Sequence, residues 1–312
     1  MKRILFAFAV ISILMAACSK KSQITQCPSH INDSLQGSVV QVMEDMHVNG
    51  IVLVIDSAAN LVVSAGFQDS LMGDAEVYSW LSMMLNPGNI FKPMLLVTIL
   101  DSETLSQECL EKEYRCRRLC IDDVEISDHG DFVGYGRMDL RSALHNGSNV
   151  AFCDFINEIY RDADSRSVLS NNTTTKMIPP SVPFTINGLI DYIPQDFFRY
   201  CIGYGASLQP YTLAFYYHAL VNHGRFRLID EACSYRYENI CSEQTAERVV
   251  DLLKEQTTGR IGVHGTLMDS TNSYPSYVGY SPDLKYTVMV MLHKSNTNVA
   301  MRVFDSIISQ LR

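Results

Sequence analysis

The chain has 312 residues, 47% of them hydrophobic, and a formal net charge of −9, with 34 acidic against 25 basic side chains. That is enough apolar material for a sizeable core, and an acidic balance without any basic run excludes a nucleic-acid-binding surface. The chain opens with Lys2 and Arg3, an apolar run from Ile4 to Leu14, and then Met15-Ala16-Ala17-Cys18. A transmembrane helix is the plain alternative, but the run falls short of the roughly 20 apolar residues that span a bilayer. It reads instead as a secretion signal ending in a lipobox, with cleavage before Cys18 and acylation of that cysteine. Removing residues 1–17 takes away two basic side chains and moves the formal charge from −9 to −11. Residues 18–35 are polar and read as a lipid-anchored tether, which leaves about 275 residues, 36–312, for the folded part.

Val39, Val40, Val42, Met43 and Met46 fall at helical spacing and predict a helix between Leu35 and Val48. Gly50–Ile55 is a buried strand, Asp56–Asn60 a turn, and Leu61–Ala65 its partner, with Asn60 suited to a left-handed turn position. Pro87-Gly88 then breaks the chain ahead of a near-continuous apolar run beyond Pro93, which predicts a buried helix from Asn89 to Leu100. Asn89 and Lys92 are three residues apart, so both belong on one face at the start of that helix.

Pro87-Gly88-Asn89-Ile90-Phe91-Lys92-Pro93 resembles the Pro-Gly-Ser-x-Phe-Lys-Pro segment of penicillin-binding protein transpeptidases, with Asn89 where the family's nucleophilic serine stands. In the working motif the hydroxyl attacks a carbonyl and the lysine assists proton transfer. A carboxamide has its nitrogen lone pair delocalised into the carbonyl and no proton for a base to take, so it cannot do this. Asn is as good a helix N-cap as Ser, so the substitution is expected to spare the fold while removing the nucleophile.

Cys109, Cys116 and Cys120 follow in a charged excursion that extends to about Asp131. No His falls inside that cluster and no Cys-x-x-Cys occurs, so a metal site is not expected and disulfides are, with Cys233 and Cys241 as a second pair. If the excursion is helical, Cys116 and Cys120 share a face. Gly147-Ser148-Asn149-Val150-Ala151-Phe152 is similar to the family's second signature, Ser-x-Asn followed by a small-apolar-aromatic run. Asn149 is retained and is expected to orient substrate amides, whereas Gly147 stands where the signature's hydroxyl belongs, with Ser148 between. Read without the resemblance, the stretch is a helix-turn-helix with an Asn-Gly turn.

Residues 165–183 are rich in Ser, Asn and Thr and read as a loop, which also holds Thr173-Thr-Thr-Lys176, the one other stretch with hydroxyl-x-x-Lys spacing. Gly203-Tyr204-Gly205 resembles the family's Gly-x-Gly loop. It precedes a helix with Leu213, Tyr216, Tyr217 and Leu220 on its core face and Gly224 as a C-cap. A further helix covers Thr245–Lys254. The third signature, Lys-Thr/Ser-Gly-Thr in the family, is Val263-His264-Gly265-Thr266, so its cation is missing. Paired strands at 277–280 and 285–292, joined by a turn at 281–284, and a closing amphipathic helix at 299–311 complete the chain.

The resemblance covers the transpeptidase module and implies an α+β fold, a central antiparallel sheet flanked by terminal helices with an all-helical subdomain. It places a ligand groove at Lys92, Ser148, Asn149, His264, Gly265 and Thr266, and implies no cofactor. The departures at Asn89, Gly147 and Val263 all fall on chemistry. The expected function is therefore a lipid-anchored envelope protein that binds a peptidoglycan stem peptide or a cell-wall protein partner without acyl transfer. A residual D,D-transpeptidase or carboxypeptidase-type enzyme is the alternative, and His264 is a candidate base near neutral pH without an evident nucleophile beside it.

Overall fold

The computed structural model describes residues 30–102, 105, 107–116, 118–128, 136–173, 179, 184–186, 194–229 and 235–311. The described residues within 30–227 and 237–311 make one compact body, and 228, 229, 235 and 236 belong to a separate unit. The expectations for the signal sequence, for Cys18, and for Cys233 and Lys176 fall outside the described residues.

The body is built on a five-stranded antiparallel sheet that takes strands from both ends of the chain. Helix α1 (Asp33–Asp45), capped by Asn32, leads into β1 (Asn49–Asp56) and β2 (Leu61–Phe67). Helices α2 (Asp74–Leu81) and α3 (Phe91–Ser102) follow, then α4 (Leu140–Asn146), α5 (Asn149–Ile159), α6 (Ala163–Asn172), α7 (Pro194–Cys201), α8 (Pro210–Val221) and α9 (Glu243–Leu252). The chain returns to the sheet as β3 (Ile261–Met268), β4 (Ser273–Tyr280) and β5 (Tyr286–His293) and closes with α10 (Thr297–Gln310). The strand order is β3-β4-β5-β1-β2.

The central strands are apolar on both faces because both are covered. Val52 and Val54 of β1 sit opposite Val290 and Val288 of β5 and face α1 and α10, where Val39, Met43, Ala300, Val303, Phe304 and Ile307 join one core. The other face packs against α8, which is buried nearly all round, including Leu213, Tyr216, Tyr217 and Leu220. Helix α3 lies deeper still: every residue from Phe91 to Leu100 is buried, and Lys92 is the only charged side chain among them.

Several expectations need correction. The buried helix starts at Phe91 rather than Asn89, because Gly88–Ile90 forms a 3-10 turn ahead of it. In the β1–β2 turn the left-handed residue is Ala59, at φ 61°, and Asn60 instead bonds to Asp56, whose carboxylate also accepts from the Ala58 and Asn60 N–H groups. The cysteine-bearing excursion is not one helix: it holds Gln107–Glu111, a strand at Tyr114–Arg115 and a hairpin of Arg118–Ile121 with Val124–Ser127. Among the described residues Cys116, Cys120 and Cys241 are free thiols, so the disulfides expected of them are not formed. The polar stretch read as a loop from Ser165 is helical as far as Asn172.

Candidate functional site

The segment before α3 is laid along β3, the edge strand of the sheet. Asn86 exchanges both backbone hydrogen bonds with Met268, at 2.8 and 3.0 Å, and the neighbouring Leu85 does the same with Leu208. Such close approach depends on two glycines in left-handed backbone. A Cβ on Gly88, at φ 53°, would stand 2.7 Å from the Thr266 carbonyl, and one on Gly203, at φ 85°, would collide with the Gly88 carbonyl. The Gly-x-Gly loop thus locks the 3-10 turn in place, and the turn presents Asn89.

Asn89 does not cap the helix. Its Nδ2 donates to the His264 carbonyl at 2.7 Å and to the Leu144 carbonyl at 3.2 Å, so one carboxamide ties β3 to the last turn of α4. Its Oδ1 is buried and, among the described residues, has no hydrogen-bond partner. One turn on, Lys92 is fully buried and its Nζ donates to the Gly147 and Ser148 carbonyls at 3.1 and 3.0 Å. Burial pulls its pKa down to about 7, partly opposed by Cys153 and Asp128.

The opposite wall is the junction of α4 and α5, a helix-turn-helix with Gly147 in the left-handed C-cap position at φ 70°. Ser148 caps α5: its Oγ accepts from the Ala151 N–H at 3.1 Å and donates to Asp128 Oδ2 at 2.9 Å, while Asp128 Oδ1 accepts from the Val150 N–H. Asn149 is the first residue of α5 and is 6% exposed. On β3, His264 Nε2 lies 2.8 Å from the His145 carbonyl, a contact that makes this nitrogen the donor. Burial lowers the His264 pKa, the His145 bond acting in the opposite direction, and burial lowers that of His145 as well. His264 is therefore a ring fixed to the opposite wall through Nε2.

Between the walls lies a cleft of about 280 Å³ lined by Asn89, Asp128, Gly147, Ser148, Asn149, His264, Gly265 and Thr266, together with Asn146, Tyr204 and Thr297. Seven of the positions expected at the site thus converge there: Asn89, Gly147, Ser148, Asn149, His264, Gly265 and Thr266. Lys92 and Val263 do not line it: Lys92 lies beneath the Gly147-Ser148 backbone, and Val263 is 1% exposed in the core. Asp128, Thr297 and Tyr204 were not singled out from sequence. Tyr204 stands inside the Gly-x-Gly motif and was within reach of that reading, whereas Asp128 and Thr297 enter through tertiary structure alone. Chemically, the position that faces the cleft where a nucleophile would stand holds an amide whose hydrogens are both committed to backbone carbonyls.

The model of the penicillin-binding protein transpeptidase domain matches residues 50–309. The chain belongs to this family. Domains of the family act in the cell envelope, in peptidoglycan synthesis. The fold agrees with the transpeptidase domain of penicillin-binding protein 3 from Burkholderia pseudomallei, with a TM-score of 0.68 at 18% identity over 91% of this chain and 95% of that one. A peptidoglycan glycosyltransferase from Burkholderia ambifaria gives a TM-score of 0.69 at 16% identity, covering 91% and 96% of the two chains. The D,D-transpeptidase domain of a peptidoglycan glycosyltransferase from Eggerthella lenta gives 0.67 at 16% identity, covering 89% and 81%. No curated protein matches the chain. Among the described residues no helix is long and apolar enough to cross a membrane.

Proposed function

We propose that this is a lipid-anchored envelope protein, tethered through Cys18, whose transpeptidase-like domain binds a peptidoglycan stem peptide or a cell-wall protein partner and performs no acyl transfer. The observation that carries the reading is Asn89: it occupies the nucleophile position of the family motif and spends both amide hydrogens on the His264 and Leu144 carbonyls. Losing a nucleophile that acts as a unit with its base costs on the order of a million-fold in rate. The cleft itself is formed, with Asn149 and the edge strand β3 along it, which supports retention of binding.

The lowered pKa of Lys92 favours the second reading, a residual D,D-transpeptidase or carboxypeptidase-type enzyme acting through Lys92 or Ser148. Against it stands their burial, 0% and 2% exposed, with the Ser148 hydroxyl committed to Asp128. Calorimetric titration with a peptidoglycan pentapeptide tests the binding reading. Saturable uptake with the pentapeptide recovered uncleaved is expected, whereas cleaved product would support the second reading and an absence of saturable heat would remove the binding role.

A further inference from the structure

The Asn89 carboxamide is more than a missing hydroxyl. It spans the floor of the cleft between the two walls, one amide hydrogen on the carbonyl of the edge strand at His264 and the other on the carbonyl of Leu144 in the last turn of α4. The walls are joined once more by the His264 ring on the His145 carbonyl. Beside these bridges β3 lies tight against the 3-10 turn: a Cβ on Gly265 would stand 2.8 Å from Ile90 Cγ1. A side chain donating to both walls takes up acceptor positions that an entering peptide would use. The serine this family carries here has one hydroxyl hydrogen and cannot donate to both walls at once.

We propose that Asn89 is an internal plug, which holds the wall acceptors beside the cleft in the free protein and must swing aside before a peptide can seat against β3. This rests on the binding role given above. The orphaned Oδ1 makes the plug displaceable, because a buried acceptor without a partner gains hydrogen bonds on leaving. The binding-competent state is then a minor one, and apparent affinity is reduced by its population. The residue thereby sets the threshold for ligand entry, so the protein responds to a locally concentrated or multivalent peptide rather than to a dilute one.

Removing the plug tests this. Peptidoglycan pentapeptide is titrated by calorimetry into the wild-type protein, Asn89→Ala and Asn89→Ser, with thermal melts confirming that each variant is folded. Both variants are expected to melt at a lower temperature than the wild type yet bind the pentapeptide about tenfold more tightly, an outcome that mere loss of structure does not produce. Saturable binding with equal or weaker affinity in both variants would overturn the plug and leave the binding role standing. No saturable binding in any of the three proteins would overturn the binding role and the plug with it.

Discussion

The two sides of the sheet's β3 edge differ in what they ask of the sequence. Toward the core, β4, β5 and β1 are packed by α1 and α10 through side chains chosen for shape and apolarity. Toward the cleft, the walls are held by polar bonds that connect remote parts of the chain: Asn89 to Leu144 and His264, Lys92 to Gly147 and Ser148, Ser148 to Asp128. A transpeptidase scaffold therefore does not need its nucleophile to keep its shape. At the motif position a carboxamide performs the structural task of joining the walls, and on the proposed reading the reaction is what is given up.

Substitutions sharpen this contrast. The largest effect is expected in the scaffold. Phe304, 2% exposed on α10 and in ring contact with Tyr277, should cost about 3–5 kcal/mol as Phe304→Ala in urea denaturation, without altering pentapeptide affinity per folded molecule. A cleft that loses affinity in this variant would break the separation between the two regions.

Lys92→Met carries the next effect, and it depends on pH. The folded state holds the lysine pKa at about 7, against 10.5 ordinarily, so between those values the unfolded chain binds more protons and stability rises with pH. Cys153, pushed up to about 12 by burial, acts with the opposite sign once pH passes its ordinary value of 9, so the useful window ends at about pH 8.5. Across that window the wild type should gain about 1–2 kcal/mol relative to Lys92→Met, in which the titration is absent. Parallel pH profiles of the two proteins would mean that Lys92 is charged and paired in the fold.

The smallest effect expected is that of Ser148→Ala, which removes the α5 cap and leaves Asp128 one hydrogen bond short, at about 1 kcal/mol. Chemical denaturation measures it. A loss well beyond that size would mean that the hydroxyl organises the wall and not only the helix end.

Local patterning made the scaffold legible. Continuous apolar runs announced β1 and β5, Pro87-Gly88 announced the break before α3, and the amphipathic pattern of 299–311 announced α10. The order of the weak motifs located the cleft. The polar composition of α6 hid a helix, because its support is tertiary: Asp162 caps it, and Arg166 reaches Asp122 at 2.6 Å while lying over Phe197 and Phe198. Asn89 was identified as a lost nucleophile but read as a cap. Its partners lie 55 and 175 residues away, a distance over which local sequence carries no signal. Asp128 escaped notice for the same reason.

The central claim is that this transpeptidase-family domain forms no acyl-enzyme. Incubating the purified protein with fluorescent penicillin, denaturing it and resolving it by electrophoresis tests that claim most directly. The account predicts no labelled band at any concentration, and a denaturation-resistant band on the wild-type chain would contradict it.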